Sequence, residues 1–420
     1  MALKDLKYFQ DDMETCSRCF HCKFINLEKV ENQKYSQQCP SNVYFKWNTY
    51  SAFGRISWGL GLVHGDIELT PRVAEVAYNC NLCGGCDVSC KYTMDMEVLE
   101  PLYAERAECV KAGQTNPVLD KLVEGMKKGA PMVSCASGKK DWAKGLKVAD
   151  YTTEKVPVIF HAGCMANYDD ASAKAANAAL SLLLKAGVKA GIAKDELCCG
   201  SLAYEAGYQD DAVEQAKKNV ARFKESGATE IVTACSHCYQ AFKVLYDKFE
   251  LDLGLKVYHI TEYLAQLIAD GKLKLTKPVN MTVTYHDPCH LGRLSEPWIH
   301  WEGKLREKHI RVFDPPKTYR RGTYGSYDAV REVLKSIPGL QLVEMNRNKE
   351  VAFCCGGGGG VPDTNPEFAQ WTANYRLDEA AATGAQALVT ACPHCVKNFA
   401  AADTQGLKIY DIVELVDMAI

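Results

Sequence analysis

Near residue 156 the pattern of apolar and polar positions changes character. Beyond it, short β-branched runs recur: "VPVIFH" ending at His161, "EIVTAC" at Cys235, "MTVTYH" at His286 and "ALVTAC" at Cys392. Ala-rich stretches of helical character, such as Asp169 to Ala186, lie between them. Strand-like runs alternating with helical ones predict an α/β fold with a mainly parallel sheet. Residues 111–155, with "GQTNP" and "CASGKKDWAKG", are polar and irregular and predict a connection. Residues 1–110 are organised around cysteines instead.

The α/β half also repeats itself. "ATEIVTACSHCYQAF" (Ala228 to Phe242) aligns without gaps on "AQALVTACPHCVKNF" (Ala385 to Phe399), sharing 8 of 15 residues. "VIFHAGC" at Cys164 answers "VTYHDPC" at Cys289, "CCG" at Cys198 answers "CCG" at Cys354, and "GLKVYHITE" answers "GLKIYDIVE". A duplication explains this better than chance. The expected units are therefore 1–110, a connection over 111–155, and two halves over 156–275 and 276–420. The second half is longer between its first two cysteine motifs, which places a basic insertion at about 295–327. Its Arg, Lys, Trp and Tyr residues fit either a solvated surface elaboration or a contact face for a partner or anionic ligand.

Composition narrows the class without naming a partner. The chain of 420 residues is 47 % hydrophobic and 24 % charged, with a net charge of −3, which offers no global attraction to nucleic acid or membrane. The start, "MALKDLKYFQDDMET", has no apolar signal core, and no stretch approaches the roughly 18 apolar residues of a membrane helix. A cytoplasmic chain is expected, alone or within a larger or membrane-associated complex. In a reducing compartment its 20 cysteines point to metal or redox chemistry rather than disulfides.

Spacing selects the metal. "CSRCFHC" and "CNLCGGC" are C-x2-C-x2-C triplets, Cys16, Cys19, Cys22 and Cys80, Cys83, Cys86, each able to hold three corners of a [4Fe–4S] cube. In two-cluster ferredoxins the fourth ligand comes from the other run. Crossed in that way, Cys90 completes the first set and Cys39 the second. Zinc sites more often pair two C-x2-C knuckles, which disfavours zinc. His21, inside the first triplet, reads as a solvated neighbour. The block resembles the ferredoxin-like domain of heterodisulfide reductase and of succinate dehydrogenase iron–sulfur subunits. It departs from them at Cys39, far beyond Cys22, and at Lys91, which follows Cys90 where those proteins have proline.

Each repeat carries five cysteines: Cys164, Cys198, Cys199, Cys235 and Cys238 in the first, Cys289, Cys354, Cys355, Cys392 and Cys395 in the second. Five thiols exceed what a cube or a zinc ion needs, and adjacent side chains diverge in extended backbone. These motifs, with "YHDPCHLGR" and "TACPHC", resemble the CCG domains of the B-type and D-type subunits of heterodisulfide reductase. The order of domains is that of the D-type. The resemblance implies a mostly helical, ferredoxin-like two-cluster domain followed by two tandem α/β CCG domains. It further implies two cubane and two noncubane [4Fe–4S] clusters held by these eighteen cysteines, with no separate zinc site.

Around the motifs the residues leave alternatives open. Gly356 to Gly360 lack the pattern of a phosphate loop and fit backbone lying against a cluster, or a flexible loop. His237 and His394 fit proton transfer or packing. His286, Asp287, His290 and Arg293 flank Cys289 and are the catalytic candidates, Arg293 as a possible holder of an anionic group. Cys109 and Cys135 fit no set and read as ordinary thiols. No flavin, nicotinamide or haem motif is recognisable. An electron-transfer subunit of a larger redox complex is expected, with flavin or iron–sulfur subunits as partners and no nucleic acid. The resemblance points to a heterodisulfide-reductase-like subunit such as that of class II benzoyl-CoA reductase. The alternative is a disulfide reductase acting at the noncubane clusters.

Overall fold

The computed structural model describes residues 3–134, 138–297, 299, 301–307 and 312–420. Cys135 and part of the insertion lie outside these residues. The N-terminal block is helical: Gln10–Thr15, Pro40–Phe45, Ala52–His64, Pro71–Tyr78, Gly85–Thr93 and Leu99–Lys111 are accompanied by single 3₁₀ turns. Local chemistry sets these ends. Ser51 and Thr70 accept from the backbone amides of Gly54 and Val73, capping the orphan donors of the first turn, and Pro71 follows its cap where its missing N–H costs nothing.

The α/β part contains two parallel sheets. The strands are β1 (Ala149–Asp150), β2 (Val158–His161), β3 (Ala190–Ile192), β4 (Glu230–Thr233), β5 (Lys256–His259), β6 (Met281–His286), β7 (Lys304–Glu307), β8 (Val312–Asp314), β9 (Leu340–Val343), β10 (Ala387–Thr390) and β11 (Lys408–Asp411). The first sheet runs β1-β3-β2-β4-β5 and the second β11-β10-β6-β9. Read from the matching edge, the second sheet repeats the order β3-β2-β4-β5. Corresponding registers follow: Val158 to His161 pair with Glu230 to Thr233, and Val283 to His286 with Ala387 to Thr390. Helices Ile260–Ala269 and Ile412–Met418 begin with the same capping box, from His259 with Glu262 and from Asp411 with Glu414.

Two stretches differ from the sequence reading. Residues 111–155 carry a helix, Pro117–Lys127, which buries Leu119, Val123 and Met126, and also β1, the edge of the first sheet. The insertion carries the antiparallel β7–β8 hairpin. Its following cations turn inward: Lys317 lies 3.7 Å from Glu97, Arg320 lies 3.2 Å from Glu100, and Arg321 pairs with Asp95. Lys317 and Arg320 are thus bound to the N-terminal block rather than solvated, whereas Arg306 is exposed and pairs with Asp314 inside the hairpin.

Candidate metal centres

In the N-terminal block the eight candidate thiols gather in two groups. Cys16, Cys19, Cys22 and Cys90 line one cavity with Phe20, Phe53, Ile56, Met94, Met96 and Val98. Cys39, Cys80, Cys83 and Cys86 line a second with Gln38, Arg55, Asn81 and Leu102. Ala52 borders both. Burial pushes the Cys22 thiol up to about 11 and Cys39 up to about 12. Four soft thiols in each group, with no carboxylate lining either cavity, form a donor set that fits an iron–sulfur cluster and not a hard cation. Gln38, beside the second group, has both amide atoms buried without a partner.

Lys91, the departure from proline, has a structural reason. It sits inside helix Gly85–Thr93 with its side chain fully buried, and its Nζ lies 2.7 Å from both Asp87 and Glu97. Proline there would remove the ammonium, leaving buried Asp87 without its ion pair and Glu97 with only the more distant Lys317. His21 contacts Asn26 at 3.3 Å, and Cys109 is fully buried in an apolar cluster.

The ten remaining candidates lie beyond the carboxyl ends of parallel strands, where open α/β sheets present their ligand sites. Cys164 and Cys289 follow β2 and β6, Cys235 and Cys392 follow β4 and β10, and the adjacent pairs follow β3 and β9. Cys235 and Cys392 are also the N-cap residues of helices Ser236–Gln240 and Pro393–Ala400. After each pair the chain turns left-handed at Gly200 and Gly356, whose amides approach Cys198 Sγ at 3.4 Å and Cys354 Sγ at 3.3 Å. Within each set, neighbouring thiols hold one another at different protonation. Hydrogen bonds from Cys198 and Cys238 push Cys199 down to about 6, and one from Cys354 lowers Cys289, while Cys238 and Cys354 are raised.

The two halves interlock at these loops. Ser236 Oγ donates to the Ala391 carbonyl at 2.6 Å. His237, from the first half, has Nδ1 3.9 Å from Cys392 Sγ, and His394, from the second, is hydrogen bonded to Cys235. His237 stacks on His290 with centroids 3.7 Å apart and meets His394 at 4.2 Å. His290 also approaches Cys289 Sγ at 3.3 Å and Glu205 at 2.5 Å. Burial lowers His237; the same effect on His394 is outweighed by Cys235, and its imidazole rises to about 9. His286 lies with Cys355 and Cys395, ligand atoms within 4.8 Å of one another, and receives Arg376 Nε at 3.3 Å.

Two catalytic candidates have structural partners. Asp287 accepts both Arg331 Nη1 and Nη2, at 2.9 and 3.0 Å, and the Lys349 amide at 2.8 Å. Arg293 donates to the carbonyls of Cys83, Glu350 and Ala352 at 2.6 to 2.8 Å, so its guanidinium joins backbone segments.

The glycine run is a seam. A Cβ at Gly357 would lie 2.8 Å from the His394 carbonyl oxygen, at Gly358 3.0 Å from that of Asn81, and at Gly359 2.5 Å from that of Cys80. Asn81 Nδ2 donates to the Gly356 carbonyl at 3.0 Å, and the Gly359 amide donates to Glu205 at 2.9 Å. The run therefore packs between the Cys80–Cys83 loop and the second CCG set, and a hydrogen bond joins Cys83 to Cys354. Glu205 and Arg106, central to this seam, carry no motif that singles them out in the sequence.

A family model for the cysteine-rich CCG domain matches the chain twice, over residues 158–243 and 283–400. The class is a protein with paired cysteine-rich domains. The chain is similar to the D-type subunit of dihydromethanophenazine:CoB–CoM heterodisulfide reductase from Methanosarcina barkeri, 31 % identical over 97 % of this chain and 94 % of that protein. It is also similar to EtfAB:quinone oxidoreductase from Syntrophomonas wolfei, 32 % identical over 61 % of this chain and 33 % of that protein. A third relative is the B-type subunit of fumarate reductase (CoM/CoB) from Methanothermobacter marburgensis, 29 % identical over 83 % of this chain and 62 % of that protein. The chain belongs to the family of D-type heterodisulfide reductase subunits and is an iron–sulfur electron-transfer protein of that type. Among the described residues no helix is long and apolar enough to cross a membrane.

Proposed function

We propose that the chain carries four [4Fe–4S] clusters and conducts electrons within a multi-subunit redox complex. In this reading a ferredoxin-like block, 1–110, holds two cubane clusters, one on Cys16, Cys19, Cys22 and Cys90 and one on Cys39, Cys80, Cys83 and Cys86. The tandem CCG halves, 156–275 and 276–420, hold two noncubane clusters on their five-cysteine sets. The clusters supply one-electron storage, and the chain's own residues set their spacing and surroundings.

The observation that carries this reading is the continuity of the four thiol groups. The first two share Ala52 as a wall, Cys83 is hydrogen bonded to Cys354, and His237 and His394 cross between the CCG sets. A series of adjoining sites suits conduction, with flavin or iron–sulfur subunits as the exchanging partners. Supplying the anaerobically purified chain with a strong reductant and low-molecular-weight disulfides tests it. Rapid cluster reduction without sustained disulfide turnover is expected, whereas sustained turnover would make the chain a disulfide reductase in its own right. Co-purifying subunits would identify the host complex, including one of the benzoyl-CoA reductase kind.

A further inference from the structure

Among the described cysteines only Cys19 is exposed. The surface beside it is unusual for a charged, soluble block. Of the eleven large apolar side chains exposed on the described chain, Phe20, Phe24, Leu27, Trp47 and Tyr92 lie on or next to the Cys16–Cys22 loop, and Leu27 and Trp47 are 80 % and 71 % exposed. Contacts through neighbouring residues connect several of them. Phe20 meets Phe53 of the first cavity edge to face at 5.2 Å, and Lys23 Nζ lies 4.3 Å over the Phe20 ring and 2.5 Å from Asn48, next to Trp47. On the other flank Ser89, one turn before Tyr92, donates to the Phe24 carbonyl at 2.8 Å.

Cations outnumber carboxylates on this face, where Arg18, Lys23 and Lys46 stand beside one exposed acid, Glu28. Arg18, Lys23 and Lys46 have no carboxylate within ion-pair distance among the described residues. The nearby acids are engaged, Glu28 with the Tyr92 hydroxyl and Asp95 with Arg321. Aromatic side chains with a rim of unpaired cations form a surface that complements an acidic protein, since apolar contact supplies affinity and opposite charge supplies steering.

Resting on the electron-transfer reading above, we propose that this face docks a one-electron carrier protein whose cofactor edge is ringed by carboxylates. The exchange is of one electron: the carrier is oxidised by one equivalent and the group held by Cys16, Cys19, Cys22 and Cys90 is reduced by one, with no bond made or broken. Docking at Cys19 brings the carrier to the thiol set that reaches the surface, and the adjoining sets lie behind it.

The test is stopped-flow bleaching of the iron-loaded full chain by a reduced two-cluster bacterial ferredoxin, an acidic probe, with dithionite as the small-molecule comparison. The variants are Lys46→Glu with Trp47→Ser, both outside the thiol set, and Lys274→Glu on a remote exposed site as control. For the wild type the second-order rate should fall steeply with added salt, because screening shortens to about 8 Å near physiological ionic strength. In the double variant the low-salt rate should drop tenfold or more and its salt dependence should flatten, while iron content and dithionite bleaching stay at wild-type levels. An unchanged ferredoxin rate and salt slope would overturn the proposal. So would tight binding of the face to phosphatidylserine vesicles, or self-association through it, combined with an unaltered ferredoxin rate. A chain that dithionite itself fails to bleach would overturn the electron-transfer reading, and the proposal with it.

Discussion

Replacing Arg106 by methionine tests the idea that one side chain holds the thiol-bearing segments together. Arg106, in helix Leu99–Lys111, is 1 % exposed and donates to five carbonyls: Ala77 at 3.2 Å, Tyr78 at 3.3 Å and Cys80 at 2.5 Å in the N-terminal block, Glu205 at 2.9 Å in the first half, and Gly359 at 2.8 Å in the second. A buried hydrogen bond to a charged group contributes about 1.5–3 kcal/mol, but desolvation of the guanidinium offsets much of the sum. Methionine keeps the length and apolar stem and leaves five carbonyls without their donor. A buried acceptor left without its donor costs about 1–3 kcal/mol, and for five carbonyls, offset by relief of the guanidinium's desolvation, we expect a net loss of about 3–5 kcal/mol. Lysine keeps the charge without the planar fork and should recover only part of it. The assay is anaerobic guanidinium unfolding followed by visible absorption and far-ultraviolet circular dichroism. A loss below about 1 kcal/mol, the scale of ordinary surface substitutions, would refute the keystone role.

Cys90→Ala should damage the cluster signal of Cys16, Cys19 and Cys22, and Cys39→Ala that of Cys80, Cys83 and Cys86; cluster-resolved paramagnetic spectra showing the reverse pairing would overturn the crossed ligation. Gly359→Val places a β-branched residue at φ +65°, costing about 1–2 kcal/mol in strain, and sets its Cβ 2.5 Å from the Cys80 carbonyl oxygen. It should shift the potential of the Cys80 cluster, whereas Gly384→Val, at φ +74° with nothing within 4 Å, should cost strain alone, and equal effects in redox titrations would count against the seam. Burial raises the Glu196 carboxyl from 4.5 to about 8, partly countered by the amides of Ala162 and Gly163. A raised folded pKa gives stability that is complete below 4.5 and is lost as pH rises through 8, so relative to Glu196→Gln the wild type should weaken by at most about 1.4 kcal/mol per pH unit across that window. Parallel unfolding curves from pH 5 to 8 would contradict this.

Strand and thiol positions are legible because both are local signals. Each "VTAC" run is a buried strand whose cysteine falls at its carboxyl end, and each C-x2-C spacing fits one loop. The sheet order is not local, yet the repeat points to it, and β3-β2-β4-β5 recurs as β9-β6-β10-β11. What stays hidden depends on distant partners. Arg320 finds Glu100 across 220 residues, so the charges of the insertion look free in sequence, and Lys29 outside it likewise pairs with Glu350 across 321. Glu205, which joins His290 to the Gly359 amide, is an unremarkable acid until the three segments meet. Helix Pro117–Lys127 is masked by its polar face, although Leu119, Val123 and Met126 carry helical spacing.

Iron and zinc determination on anaerobically purified chain, with Mössbauer spectra of the same sample, bears most directly on the four-site reading. Two four-thiol and two five-thiol sets predict about 16 iron atoms per chain if each cluster holds four, negligible zinc, and spectra divided between cubane and noncubane components. Iron near eight per chain with only cubane spectra, or stoichiometric zinc, would contradict it.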